Sequence, residues 1–396
     1  MAYQVTSKTS YGQRVTGSFK KIASGFVMFI IGTILLFWNE GNFVKTKKSL
    51  QEAEGVLVNA SDVSGIDPAL DGKLIHASAF ADTKDVLNDD LFGLHETAIS
   101  IRRKAEYYQY EENAKKETRE RIGGSQETIT TYTYEARWTS SPVNSANFHD
   151  PDYRSANFVL ADVDDKTQYA TNVTFGGYKL PTFIISSISG SIAADSKLTP
   201  EECTQWEDVI ARNMKVRGLK ADSATRMTHV DGNVVYLGKS PSSPGIGDVR
   251  VTLTKILPAD ISIIARVVGN TFERYTASNG KTVSSVAMGT VSAETMFAGK
   301  HSANRMWTWI LRIVGFLLVA GGLKSMFSIL PTLFKVLPFL GNIVGAGVGL
   351  VCNVIGGVWS LVIIAIAWLW YRPLTGILLL AAAVAGIWYL KKKGKK

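Results

Sequence analysis

The residue types that most often do chemistry are scattered: five histidines, His76, His95, His149, His229 and His301, and two cysteines, Cys203 and Cys352. A zinc hydrolase needs two histidines one helical turn apart with a glutamate between them. A serine hydrolase needs Gly-x-Ser-x-Gly, and a P-loop enzyme needs a glycine-rich loop ending in Lys and Ser or Thr. None of these spacings occurs in the chain. Gly123-Gly124 and Gly176-Gly177 read as turns, and Asp248, after Gly247, reads as a turn former. His76 lies on the strand face opposite Ile75, which suits a half-buried structural role. Cys203 sits in a hydrophilic region and Cys352 in an apolar run, so they cannot pair, and a Cys-pair metal site is excluded. No catalytic residue, cofactor or metal ligand is assigned, and a non-enzymatic protein is expected.

One set of spacings is regular. Gly341, Gly345, Gly349, Asn353 and Gly357 recur every four residues and draw a stripe of small side chains along one helix. In a bilayer such a stripe lets a second helix approach backbone to backbone, and an asparagine on it adds an interhelical hydrogen bond of about 0.6 kcal/mol. It serves packing within a bundle or self-association. Proton- or cation-coupled carriers place acids or histidines at mid-membrane; the apolar runs here hold none, and Arg312, a turn beyond Trp307 and Trp309, can snorkel to the interface.

The elements that carry the stripe follow from charge. All 34 acids lie within residues 39–305, so the formal charge of +9 divides into +4 for 1–38, −4 for 39–305 and +9 for 306–396. The basic surplus belongs to membrane flanks, and the mildly acidic middle repels phosphate, which argues against nucleic acid as a partner. The charge-free run 22–38 is about 26 Å long as a helix, enough for a thin bilayer. It lacks a small-residue cleavage context and is expected to remain as a signal anchor. Three further spans are expected at 306–323, 340–371 and 374–390. A Pro-broken cytosolic or interfacial segment is expected at 324–339, and because 336–371 is too long for one straight crossing, its beginning, with Pro338 and the nearby Pro331, is read as an interfacial or re-entrant approach. Residues 1–21 and the basic tail 391–396 then face the cytosol by the positive-inside rule, and 39–305 forms an exoplasmic domain. Trp38, Trp307, Trp309, Trp368, Trp370 and Arg372 would anchor the exoplasmic interface.

The middle region is expected to be β-rich, with strands at 56–59, 74–78, 98–101, 128–134, 182–185, 234–237, 249–254 and 261–268. A helix begins at Thr199 as N-cap and Pro200 at N1, with Glu201 and Glu202 in its first turn, and runs to about Met214. The charged segment 107–123 is read as a solvated helix or extended arm. Asp71-Gly72 and Asp231-Gly232 each introduce a strand, a hint of duplication. The fold class is thus an α-helical membrane part, one N-terminal plus three C-terminal spans, with a large β-rich α+β exoplasmic domain.

An ordered set of motifs resembles a known family. It runs through Asp71-Gly72-Lys73-Leu74-Ile75-His76, residues 107–111, Thr130-Thr131-Tyr132-Thr133-Tyr134-Glu135 with Trp138, Pro244-Gly245-Ile246-Gly247-Asp248-Val249-Arg250-Val251, and Trp368-Leu369-Trp370-Tyr371-Arg372-Pro373-Leu374. The order, spacing and span layout resemble the LUMA family, the transmembrane-protein-forty-three group, over nearly the whole chain. The resemblance implies an integral membrane protein of the endoplasmic reticulum and inner nuclear membrane, linked to lamins and emerin, if the source is eukaryotic. Bacterial relatives have no lamina, and a bacterial member would sit in the inner membrane with a periplasmic domain. The family supplies no catalytic residues. The function expected is a self-associating membrane scaffold that presents its domain to protein or lipid partners; a lipid- or small-ligand-handling protein, suggested by the apolar segment 326–340, is the alternative.

Overall fold

Strand Ser100–Glu120 governs how the water-facing part is built. Arg103, Ala105, Tyr107 and Gln109 are buried on alternate positions, and the strand becomes exposed beyond Glu112. It pairs antiparallel with Gln126–Thr139 from Tyr107↔Thr139 to Glu120↔Gln126, turning at Gly123 and Gly124 with positive φ of 91° and 80°. Segment 107–123 is therefore extended and not a helix. Its Glu-to-Lys pairs at i,i+4 suit a helix, but its tyrosines favour a strand, and the Thr- and Tyr-rich partner supplies cross-strand contacts such as Tyr134 Oη to Glu112 at 2.7 Å.

The structure, a computed structural model, describes residues 2–219 and 225–372. Two sheets organise the domain. The first orders Tyr3–Thr9, Gln126–Thr139, Ser100–Glu120, Val249–Ile256, Val234–Leu237 and Thr228–Asp231, all antiparallel. The second centres on Leu74–Thr83 against Ala259–Val268, flanked by Val173–Phe175 and Thr271–Glu273. Each has its own core: Ile101, Val235, Val249 and Val251 in one, Ile75, Phe175, Ile261 and Phe272 in the other. The Asp-Gly turns at 71–72 and 231–232 feed strands of different sheets.

Helices are α1 Tyr11–Val56, α2 Thr182–Ile185, α3 Pro200–Val216, α4 Ala293–Met326, α5 Ile329–Phe334 and α6 Pro338–Tyr371. α2 replaces the strand expected at 182–185: a four-residue apolar run has no period of its own, and the Pro181 carbonyl accepts from the Ile184 and Ile185 amides. α3 starts as expected, with a Thr199–Glu202 capping box. Three helices, α1, α4 and α6, are long and apolar enough to cross a membrane; the expected spans 22–38, 306–323 and 340–371 lie within them. The fourth, 374–390, and the tail 391–396 lie outside the described residues. α6 is one unbroken helix of 34 residues that begins at Pro338, and the Pro-broken segment before it holds the short helix α5. Proline at a helix N-terminus starts the helix instead of breaking it.

α1 and α4 continue past the apolar runs 22–38 and 306–323 as a stalk into the domain. Glu52 accepts from Tyr275 Oη at 2.9 Å and Ser278 Oγ at 2.6 Å, and His301 Nε2 lies 3.0 Å from Glu54. Leu50, Ala53, Met296 and Phe297 are buried against Leu74, Ile264 and Val283. At the opposite end of α1, the hairpin tip meets the bundle: Arg14 binds Glu120 at 3.0 Å, Lys335 binds the same carboxylate, and the Gly123 amide donates to the Val336 carbonyl at 3.1 Å. The hairpin thus runs from the domain to ends that the charge pattern assigns to the other side of the membrane. Its 13 residues beyond Tyr107 extend about 43 Å.

Candidate functional site

Glycines dominate the helix bundle, and those that bring two helix backbones closest together lie on α1 and α4. A Cβ on Gly25 would stand 2.7 Å from the Gly322 carbonyl oxygen, one on Gly322 would stand 2.7 Å from that of Gly25, and one on Gly32 would meet Val319 N at 2.9 Å. Gly315 lies under the Leu36 side chain, at 2.6 Å from an added Cβ. The two antiparallel helices therefore touch at two levels, Gly25 with Gly322 and Gly32 with Gly315. The signal was present: each pair is seven residues apart, two helical turns, on its own helix.

One turn beyond this seam lies a charged knot. Glu40 of α1 is fully buried. Its carboxylate accepts from Arg312 of α4 at 2.6 and 2.9 Å and from the Trp368 indole of α6 at 2.8 Å, so one acid ties three helices. The Arg312 guanidinium also lies 4.8 Å from the centre of the Trp309 ring. Arg312 is thus an ion-paired residue of the interior and does not snorkel freely. Two more bonds fix the level: Asn39 Nδ2 to the Thr308 carbonyl at 3.0 Å and Asn304 Nδ2 to the Phe43 carbonyl at 3.2 Å. Trp38, Trp307, Trp309 and Trp370 are exposed around the knot, while Trp368 turns inward and Arg372 stacks over Phe43 and Trp368.

The four-residue stripe on α6 divides. Gly341 packs on Lys335, and a Cβ added to Gly345 would stand 3.6 Å from Pro331, both against α5 and its C-cap, whereas Gly349 has open space and Asn353 is exposed. A Cβ added to Gly357 would only touch Phe316, at 3.8 Å. A four-residue repeat drifts about 40° per step around a helix of 3.6 residues per turn, so the stripe leaves the seam. The residues of α6 that face the bundle interior include Cys352, Gly356, Ser360, Ile363 and Ala367, and a Cβ added to Gly356 would stand 3.0 Å from Ala320 Cα.

The histidines are dispersed, and four are hydrogen-bonded: His76 Nε2 with the Val291 carbonyl at 2.8 Å, His95 with Asn88, His149 with Glu112 while stacked on Tyr132, and His301 with Glu54; His229 packs edge-on to the Tyr236 ring, its Nε2 buried without a hydrogen-bond partner among the described residues. Asp248 is more than a turn former. Its carboxylate takes the Gly245 amide at 2.7 Å and the Tyr236 hydroxyl, under Gly238, where an added Cβ would collide with it. Burial raises the Asp248 pKa against these bonds, and burial with the Asp248 contact raises that of Tyr236.

Apolar helices locked to one another by glycine seams and one charged knot, and continued by a stalk into a β-rich domain, define an integral, multi-span α-helical membrane protein. The chain belongs to the Transmembrane protein 43 family, whose sequence profile matches residues 107–373. It is 28% identical to Transmembrane protein 43 of Pongo abelii, over 96% of this chain and 92% of that one. The Mus musculus protein is also 28% identical, over 97% and 93%, and the Drosophila melanogaster homolog is 25% identical over 93% of each. No solved structure matches the chain.

Proposed function

We propose that the protein is a non-enzymatic membrane-organising scaffold that self-associates through the bare face of α6 and holds its domain at a fixed position for protein or lipid partners. Asn353 carries this reading. Its amide lies on an exposed face of a membrane helix, next to the open space at Gly349, and makes no hydrogen bond among the described residues. An amide in hydrocarbon is stabilised by finding a partner, and open glycine beside it lets a second helix come close. The stalk supports the same reading, since the bonds of Glu52 to Tyr275 and Ser278 couple span and domain into one unit.

Chemical crosslinking in native membranes tests it. The parent chain is expected to give dimers or larger species, and Asn353→Leu with Gly349→Leu should reduce them by about threefold to thirtyfold, matching ~0.6–2 kcal/mol for the amide contact. A parent chain that crosslinks only as monomer overturns the reading.

A further inference from the structure

The bundle holds a cavity that shares Gly349 with the proposed contact face but whose cations the scaffold reading leaves unused. It has a volume of about 480 Å³ and lies between α1, α4, α5 and α6, at the end of the bundle away from the Glu40 knot. Arg14, Lys21, Lys324 and Lys335 line it. The Glu120 carboxylate already holds Arg14 and Lys335. Lys21 and Lys324 form no ion pair among the described residues, so they are the cations left to meet a ligand. Ser328 contributes a third group: its Oγ is buried in the cavity wall and has no hydrogen-bond partner among the described residues. Gly345, Val348 and Gly349 of α6 form an apolar side, and from there the exposed Leu350, Val351 and Val354 continue along the helix.

From this arrangement we infer that the cavity binds the phosphate of an anionic lipid headgroup, with the acyl chains lying along α6. Two ammonium groups and one hydroxyl donate where phosphate oxygens accept, and the site opens where an apolar helix face begins. Arginine and lysine pockets between spans on the positively flanked side are where anionic headgroups are attracted. A soluble phosphate would satisfy the donors but would have no use for the apolar side.

Native mass spectrometry of the full chain in detergent, loaded with dioleoyl phosphatidic acid or dioleoyl phosphatidylcholine, tests the assignment. Phosphatidic acid should be retained at least about tenfold better. Lys21→Gln and Lys324→Gln should each weaken retention about fivefold, the factor that ~1 kcal/mol per cation near an anionic surface corresponds to. Ser328→Ala should weaken it further, whereas Lys20→Gln, which removes the same charge outside the cavity, should leave it unchanged. Equal retention of the two lipids, or equal losses from Lys20→Gln and Lys21→Gln, overturns the site. Displacement of phosphatidic acid by millimolar inorganic phosphate overturns the lipid assignment.

Discussion

Glu40 is two residues beyond the apolar run 22–38, and in the sequence it is only the first acid of the hydrophilic middle. Its partner Arg312 lies 272 residues away, so no local pattern joins them. Nothing in spacing distinguishes an arginine that reaches the interface from one that meets a buried acid. Removing one partner of a buried pair leaves the other charge desolvated and costs about 3–5 kcal/mol, whereas replacing both by groups of similar volume is often near neutral. Arg312→Ala should therefore lower the thermal unfolding temperature in detergent strongly, and Glu40→Gln combined with Arg312→Met should restore most of it. Should Arg312→Ala melt with the parent, the three-helix knot is not what holds the spans.

At the scale of elements, the glycine seam makes the sharper distinction. An added methyl on Gly322 meets backbone atoms at 2.7 Å from the Gly25 oxygen and from Phe29 N, where no side chain can yield; Gly347 of α6 has nothing within 4 Å. Gly322→Ala should destabilise by about 1–3 kcal/mol, the usual cost of overpacking. Gly347→Ala, by contrast, should be neutral or slightly stabilising, because alanine is the better helix former. Denaturation of the two variants in the same micelle measures the difference, and equal stabilities would place the α1–α4 seam elsewhere. Helix existence was legible here from hydropathy, and α3 from its cap residues, because both signals are local. The seam was not singled out, since the glycines every four residues are more conspicuous than two pairs seven apart. For a related reason the sequence left 107–123 open between a solvated helix and an extended arm: the segment carries helix-like charge pairs, and the strand that selects the extended form is a separate element beyond the Gly123-Gly124 turn.

For the whole molecule, the hairpin sets a condition on sidedness. The stalk bonds place the domain at the C-terminal end of α1, while Arg14 and Lys335 hold the hairpin tip at its N-terminal end. From Lys45 to Arg14, α1 rises about 46 Å, close to the ~43 Å reach of the hairpin and more than a hydrocarbon core of ~30 Å. The strand Tyr3–Thr9 covers one edge of the arm, but the outer edge of Ser100–Glu120 beyond Tyr107 has no strand partner among the described residues. Lipid does not tolerate an open edge, so such an arm needs water or protein around it. Neighbouring copies packed as the Asn353 face suggests would provide that enclosure. Single-cysteine variants with Cys203 and Cys352 replaced by serine, labelled with an impermeant maleimide, decide the matter. Ser125→Cys should label from the same side as Thr6→Cys, and Asn279→Cys from the other. Labelling of Ser125→Cys together with Asn279→Cys would mean that the tip leaves Lys335 in the membrane, that Glu120 no longer neutralises Arg14, and that the basic cavity gains two free cations.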